Sequence, residues 1–318
     1  MTEAVSEALP NRDPTDTPAP LTACRLCPHA CGVDRTAGQR GRCRAGAHLE
    51  VYRYGPHHGE EPAISGSRGS GTIFFSRCTL RCIYCQNYPW SQAGSGRTMS
   101  PAELAAALRE LAQAGCHNWN LVSPTPWLPL IREAVERAGR DSIRLPLVYN
   151  TSGFEQVEVL RTYRDLADVY LADLRYARAA TAEDGSGCAD YVARARAALR
   201  EMWEQRGPLQ LDADGVARSG MICRLLILPG HADEAVQSLE WLAATCGHRI
   251  AVSVMSQYTP AHRAPGVDGW NRRITARELE RVRQAVLDLG LTEGWIQELD
   301  PQPPRELLGF NMEEGAGL

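Results

Sequence analysis

Residues 71–90 read GTIFFSRCTLRCIYCQNYPW. The stretch opens on an apolar run, Thr72–Phe75, suited to a strand buried on both faces, and passes at once into a loop bearing Cys78, Cys82 and Cys85. The Cys-x3-Cys-x2-Cys spacing lets one short loop turn three soft thiolates onto a single centre. A structural zinc takes four ligands, and a [4Fe-4S] cluster has four irons to satisfy. Three thiolates on such a cluster leave one iron open to another ligand, and the preceding strand sets that opening at its own carboxyl end. The competing reading is a three-cysteine zinc site completed by a distant His.

Outward from this stretch the chain alternates. Further buried strands are expected at Trp119–Val122, Leu145–Tyr149, Val169–Ala172, Ile222–Leu228 and Ile250–Met255, each followed by a helical pattern. Ser100 and Glu103 form a capping box, Pro101 occupies the first helical position, Leu104, Leu108 and Leu111 share a face, and Gly115 ends the helix. Thr275 and Glu278 repeat the box for a last helix with Leu279, Val282, Val286 and Leu289 inward. Helices are also expected near 126–138, 154–164, 189–205 and 232–245, and Asp214-Gly215 predicts a hairpin in LQLDADGVARSG before the fifth strand. Six strand–helix repeats fall short of the eight that close a barrel. The expected fold is therefore α/β, a partial (β/α)6 barrel with ligands at the carboxyl ends of its strands, behind an N-terminal Cys-rich metal-binding extension. The expected divisions are a disordered tail over 1–21, the extension over 22–64, the barrel over 65–299 and a C-terminal tail over 300–318.

Composition narrows the chemistry. At 318 residues and 44% hydrophobic content the chain is long and apolar enough for a sizeable core. No run of about 18 apolar residues suggests a membrane span, and the acidic, Pro-rich start is unlike a signal peptide, so a soluble cytoplasmic protein is expected. A net charge of -4 gives no electrostatic ground for nucleic acid or anionic membrane as a partner. All 34 basic residues are Arg, which excludes Schiff-base lysines and a Walker-type phosphate loop. Eleven cysteines, mostly in one N-terminal set, favour metal ligation over a disulfide framework.

With an aromatic, Tyr84, just before the third Cys and a six-repeat barrel around it, the loop resembles that of the radical S-adenosylmethionine enzymes. CRLCPHACGVDR, GQRGRCRAG, NLVSPTPW, VYNTSGFE, DVYLADLRY, LLILPGH and SVMSQYTP extend the likeness to the branch homologous to pyruvate formate-lyase-activating enzymes. The resemblance implies that Cys78, Cys82 and Cys85 hold a [4Fe-4S] cluster whose fourth iron binds S-adenosylmethionine. It implies reductive cleavage to a 5′-deoxyadenosyl radical that abstracts hydrogen, with a flavodoxin- or ferredoxin-like electron donor. The substrate is expected to be a protein, as for an activase, or a small molecule or peptide; a non-catalytic electron carrier would gain nothing from an open iron.

Site residues follow individually from the same resemblance. Tyr84 matches an aromatic against adenine, ordinary packing being the alternative. Ser123, Pro124 and Thr125 stand where a Gly-Gly-Glu-type segment would bind the cofactor's amine, which leaves Asn120 or backbone carbonyls for that contact. Asn150, Thr151 and Ser152 are expected near ribose or carboxylate. Asp173 and Arg175 match an Asp-Leu-Lys-like element in which Arg replaces Lys, still able to fork onto a carboxylate. Arg224 and His231 are candidates to face the cavity, a helix-capping role being the alternative for His231; Gln257 and Tyr258 close the sixth strand.

Cys24, Cys27, Cys31 and Cys43 form a complete set of four in a loop-rich segment too small to fold alone. Zinc, a second iron–sulfur cluster and no metal all remain open for this set. Cys116, Cys223 and Cys246 are expected to pack as small apolar residues, whereas Cys188, in the loop EDGSGCADY, is a candidate for exposure, a thiyl relay there being disfavoured.

Overall fold

Alternating buried strands and amphipathic helices have few ways to satisfy both faces of a sheet, and the chain takes the expected one. The computed structural model describes residues 19–300; of the expected tails over 1–21 and 300–318, residues 1–18 and 301–318 lie outside them, and Ala19–Thr22 is a helical turn with Leu21 buried. Its strands are β1 (Leu49–His57), β2 (Ser70–Phe75), β3 (Arg97–Met99), β4 (Trp119–Val122), β5 (Leu147–Thr151), β6 (Val169–Asp173), β7 (Gln210–Leu211), β8 (Ala217–Leu226), β9 (Ala251–Met255) and β10 (Gly294–Ile296). The sheet order is β10-β9-β8-β6-β5-β4-β2-β1-β3, parallel from β2 through β10, with β1 antiparallel to β2 and β3 antiparallel to β1. The ends of this order do not pair, so the barrel is partial. β7 pairs antiparallel with β8 around the turn at Gly215, the predicted hairpin.

The helices sit where the capping chemistry puts them. Pro101–Gln113 begins at a capping box in which Ser100 accepts from the Glu103 amide and the Glu103 carboxylate accepts from the Ser100 amide. Thr275 and Glu278 do the same for Ala276–Asp288. Leu104, Leu108 and Leu111 are buried, each contributing roughly 1.5–3 kcal/mol relative to exposure. Further helices span Leu128–Ala138, Tyr191–Arg206 and Ala232–Cys246, close to expectation. The expected 154–164 helix is shorter, Val157–Thr162, because Phe154 and Glu155 are drawn into the interior after β5.

The extension over 22–64 divides in two. Residues 24–46 form a knob of turns, whereas Leu49–His57 is a strand of the barrel's own sheet. The helical turn Pro62–Ser65 then enters the barrel, where Ala63 and Ile64 pack with Val148, Val169, Leu171 and Ile222 and fill the lower lumen.

Candidate active site

Above that plug lies a cavity of about 460 Å³. The carboxyl-end residues Ser123, Asn150, Thr151, Ser152, Asp173, Arg175, Arg224, Ser253 and Gln257 border it together with Cys78, Gln86 and Asn87. Phe74, Trp90, Val122, Val254 and Trp295 supply apolar wall.

The cysteine loop leaves β2 through Arg77, whose left-handed φ of 72° is anchored by a 2.7 Å ion pair with Glu50. The Ile83 amide bonds to the Gly185 carbonyl, and the Arg263 and Ala264 amides bond to the Ile83 carbonyl. Each sulfur has donors aimed at it. Cys78 accepts from the Leu80 amide and the Ser123 hydroxyl. Cys82 lies 3.7 Å from the Arg175 guanidinium and accepts from the Tyr176 hydroxyl. Cys85 is 3.2 Å from the Ser91 hydroxyl and accepts from the Asn87 amide. Burial nonetheless pushes all three thiols up, Cys78 to about 11. Donors that stabilise thiolate, set where bare thiolate is costly, fit a cationic metal cluster held by these three sulfurs. The site residues present therefore suit a [4Fe-4S] cluster bordering the cavity.

Not every expected residue reaches the cavity. Tyr84 is buried at its edge, its ring stacked 5.4 Å from Trp270 and its hydroxyl 2.7 Å from that of Tyr176. Pro124 opens the short helical turn Thr125–Trp127 and does not line the cavity. The Thr125 hydroxyl is turned inward, donating to Glu155 at 2.6 Å. Asn120 is buried beneath the floor, its amide nitrogen donating to Glu60 at 2.9 Å. His231 caps Ala232–Cys246 next to Glu234, 3.2 Å away, away from the cavity. The Tyr258 hydroxyl donates to the Trp270 carbonyl at 2.7 Å, a packing role.

The cavity floor holds residues that sequence reasoning missed. Glu60 and Glu61 both pair with Arg224, whose Nε lies 2.7 Å from Glu61. Asn150 also donates to Glu60, at 3.3 Å. Burial, at 8% exposure, pushes the Glu61 pKa up, but the charge and hydrogen bond of Arg224, with Ser253 and a backbone amide, together bring it below the usual carboxylate range. The adjacent carboxylates in HHGEEP were the available signal, with nothing in the sequence to name Arg224 as their partner. Glu155 is a second omission. It is 1% exposed, accepts from Thr125 and Thr151, and burial raises its pKa to about 7.

The knob packs beside the loop. The His29 ring donates through Nε2 to the Thr79 carbonyl at 2.9 Å, and Arg35 donates to the Pro126 carbonyl. Cys27 lies near Cys24 and Cys43, and Cys43 near Cys31. Amides donate to three of the sulfurs: His29 to Cys27, Arg42 to Cys31 and Ala45 to Cys43. Among the described residues no three Cys, His, Asp or Glu side chains converge on a single-ion point. Cys116, Cys223 and Cys246 are buried, as expected, and so is Cys188, where the loop around it suggests exposure.

A model of the radical SAM superfamily matches residues 72–176. That segment runs from β2 through the cysteine loop to the residues after β6. The chain is 27% identical over 267 residues to an uncharacterized protein of Methanocaldococcus jannaschii, covering 81% of this chain and 72% of that one. Among solved structures it is similar to Streptococcus suis SuiB bound to S-adenosylmethionine, with 10% identity, a TM-score of 0.47, and 70% of this chain and 48% of that chain covered. It is also similar to the FeFe-hydrogenase maturase HydG from Carboxydothermus hydrogenoformans, with 16% identity, a TM-score of 0.48, and 73% and 54% covered. A domain of pyruvate-formate lyase-activating enzyme from Bacteroides vulgatus matches at 15% identity and a TM-score of 0.32, with 62% and 91% covered. The chain spans about half the length of the first of these solved structures. Among the described residues, no helix is long and apolar enough to cross a membrane.

Proposed function

We propose that the protein is a radical S-adenosylmethionine enzyme that abstracts hydrogen from a protein substrate in the manner of an activase. The observation that carries this reading is a loop offering three thiols, each with hydrogen-bond donors on its sulfur, at the border of a strand-end cavity. When bound, a [4Fe-4S] cluster and S-adenosylmethionine together supply a 5′-deoxyadenosyl radical. Cys78, Cys82 and Cys85 hold the cluster, and the Arg175 guanidinium beside Cys82 steadies its thiolate. Asp173 fixes Arg175 through a 2.5 Å ion pair at the border of the cavity, where the guanidinium is offered to a carboxylate. Ser123, Asn150, Thr151 and Ser152 offer hydroxyl and amide contacts to the nucleoside, and Tyr84 braces the loop from below. Phe74, Trp90 and Trp295 keep water from the reacting centre. Cys24, Cys27, Cys31 and Cys43 hold zinc or a second iron–sulfur cluster, and a flavodoxin- or ferredoxin-like protein supplies the electron.

A specific feature favours a second reading, a small molecule or peptide as substrate. The Glu60–Ser65 segment fills the lower lumen, so the cavity left to cofactor and substrate together is about 460 Å³. Anaerobic reconstitution with a strong reductant, followed by assay for 5′-deoxyadenosine, tests the enzyme reading; cofactor binding without release sinks it. A glycyl-radical resonance on an added partner protein separates the activase from the small-molecule enzyme.

A further inference from the structure

We propose that Cys24, Cys27, Cys31 and Cys43 hold a doubly negative tetrathiolate metal centre whose counter-ion is the buried guanidinium of Arg35. This rests on the reading that these four cysteines bind zinc or a cluster, and adds the charge of the centre and the residue that balances it. Arg35 is 2% exposed. Its Nε donates to the Gly46 carbonyl at 2.7 Å, its Nη1 to the Pro126 carbonyl at 2.5 Å, and its guanidinium lies 5.0 Å from the centre of the Trp127 ring. Carbonyls and a ring face solvate a cation but do not neutralise it. Among the described residues no carboxylate pairs with Arg35, and its Nη2 is buried without a hydrogen-bond partner. A buried charge without a counter-charge is among the costliest features a fold can carry.

The group in contact with the guanidinium that can become an anion is the cysteine set. The Cys24 sulfur lies 4.0 Å from Nη1. Backbone bonds fold the first part of the segment, Gly32 donating to the Cys24 carbonyl at 2.8 Å, Cys24 to Val33 at 2.9 Å and Ala30 to Cys27 at 2.9 Å, and Cys27 and Cys43 lie near Cys24, with Cys31 near Cys43. The following turn closes over Cys31 so tightly that a Cβ on Gly41 would stand 2.8 Å from its sulfur. Four thiolates carry four negative charges. Zn²⁺ or the oxidised core of a [4Fe-4S] cluster, each doubly positive, leaves the same net charge of minus two. Either source meets the cation that Arg35 buries, and Arg35 in turn ties the centre to the Pro126–Trp127 turn after β4.

The test uses the full chain carrying Cys78→Ala, Cys82→Ala and Cys85→Ala, so that metal counted belongs to the other four cysteines. Zinc alone, and iron with sulfide under anaerobic conditions, are offered separately, and affinity is measured against a competing chelator with and without Arg35→Gln. The expected result is one zinc, or one cluster with matching sulfide, per chain, and roughly 10- to 100-fold weaker binding after Arg35→Gln. Sulfide content distinguishes the two sources. Failure of the triple variant to bind either metal overturns the site, and unchanged affinity after Arg35→Gln overturns the counter-ion. If Arg35→Gln does not fold, Arg35→Lys decides: it keeps the charge, so binding near that of the parent supports the proposal and loss as complete as in Cys24→Ala overturns it. Release of 5′-deoxyadenosine by the otherwise unaltered chain reads the barrel chemistry separately, so either idea can fail alone.

Discussion

The two cysteine sets lie side by side in opposite kinds of backbone. Cys78, Cys82 and Cys85 sit on a loop fixed at one end by β2 and along its length by bonds to residues 185 and 263–264, above a packed lumen. Cys24, Cys27, Cys31 and Cys43 sit in turns with neither helix nor strand between residues 23 and 48. On the proposed reading, the barrel would organise its metal site from outside, whereas a metal in the knob would tie together turns that no helix or strand supports. The difference matches the ligand counts: a scaffold that is already rigid can leave a coordination position open, and one that is not uses all four.

The largest expected effect separates the two sets outright. Cys82→Ala should remove the barrel iron and reduce 5′-deoxyadenosine release to background while the knob keeps its metal, read by metal analysis and product assay. Simultaneous loss of both metals would merge the two regions into one centre.

The rigidity of the barrel side is tested next, at its floor. Arg224→Leu leaves Glu60 and Glu61 buried without their cation, and should destabilise the chain by roughly 3–5 kcal/mol in denaturant unfolding. Adding Glu60→Gln and Glu61→Gln to that variant should recover part of the loss. Unchanged stability in Arg224→Leu would mean that the plug, and with it the base under the loop, is not held by charge.

Between the two regions stands Glu155, bonded to Thr125, Thr151 and Tyr149 and close enough to raise the Cys27 thiol. Burial raises its folded pKa from 4.5 to about 7, so the folded chain holds a proton that the unfolded chain has released. Its contribution to stability is complete below pH 4.5 and is lost as pH rises through 7, a span worth about 3 kcal/mol. Unfolding free energies of the native chain and of Glu155→Gln across pH 4.5–8 should therefore diverge, the variant lacking this decline. Parallel pH profiles would show that the carboxyl titrates alike in both states.

Much of this was legible in the sequence because it is local. Capping boxes, apolar runs and the spacing Cys78-x3-Cys82-x2-Cys85 each specify a backbone over a few residues, and strands β2, β4, β6 and β9 lie where those runs placed them, whereas β5 is set later, at Leu147–Thr151, and β8 begins earlier, at Ala217. What escaped depends on residues that meet only after folding. Leu49–His57 shows no regular alternation because it bulges between Val51 and Arg53 and is half exposed. Glu60 and Glu61 read as a solvated acid pair until Arg224, over 160 positions away, is seen to hold them. Thr125 and Asn120 carry the right chemistry at the right strand, but side-chain direction, which strand position alone did not give, turns them from the cavity to Glu155 and Glu60.

The smallest expected effect concerns the contact through which one region could feel the other. His29 donates to the carbonyl of Thr79, inside the barrel's cysteine loop, and its ring rests 5.0 Å from Phe154. Burial lowers its pKa, so the neutral ring makes this bond near pH 7 and its loss removes one ordinary hydrogen bond, about 1 kcal/mol. If the knob braces the loop, His29→Ala should speed the release of barrel iron to a chelator about fivefold. His29→Gln, which still offers a donor, should recover part of that difference. A variant that weakens the knob's metal but leaves barrel iron loss unchanged would show two centres that share a surface and nothing else; faster loss from the barrel with the knob's metal intact would make the knob a brace for the loop it touches.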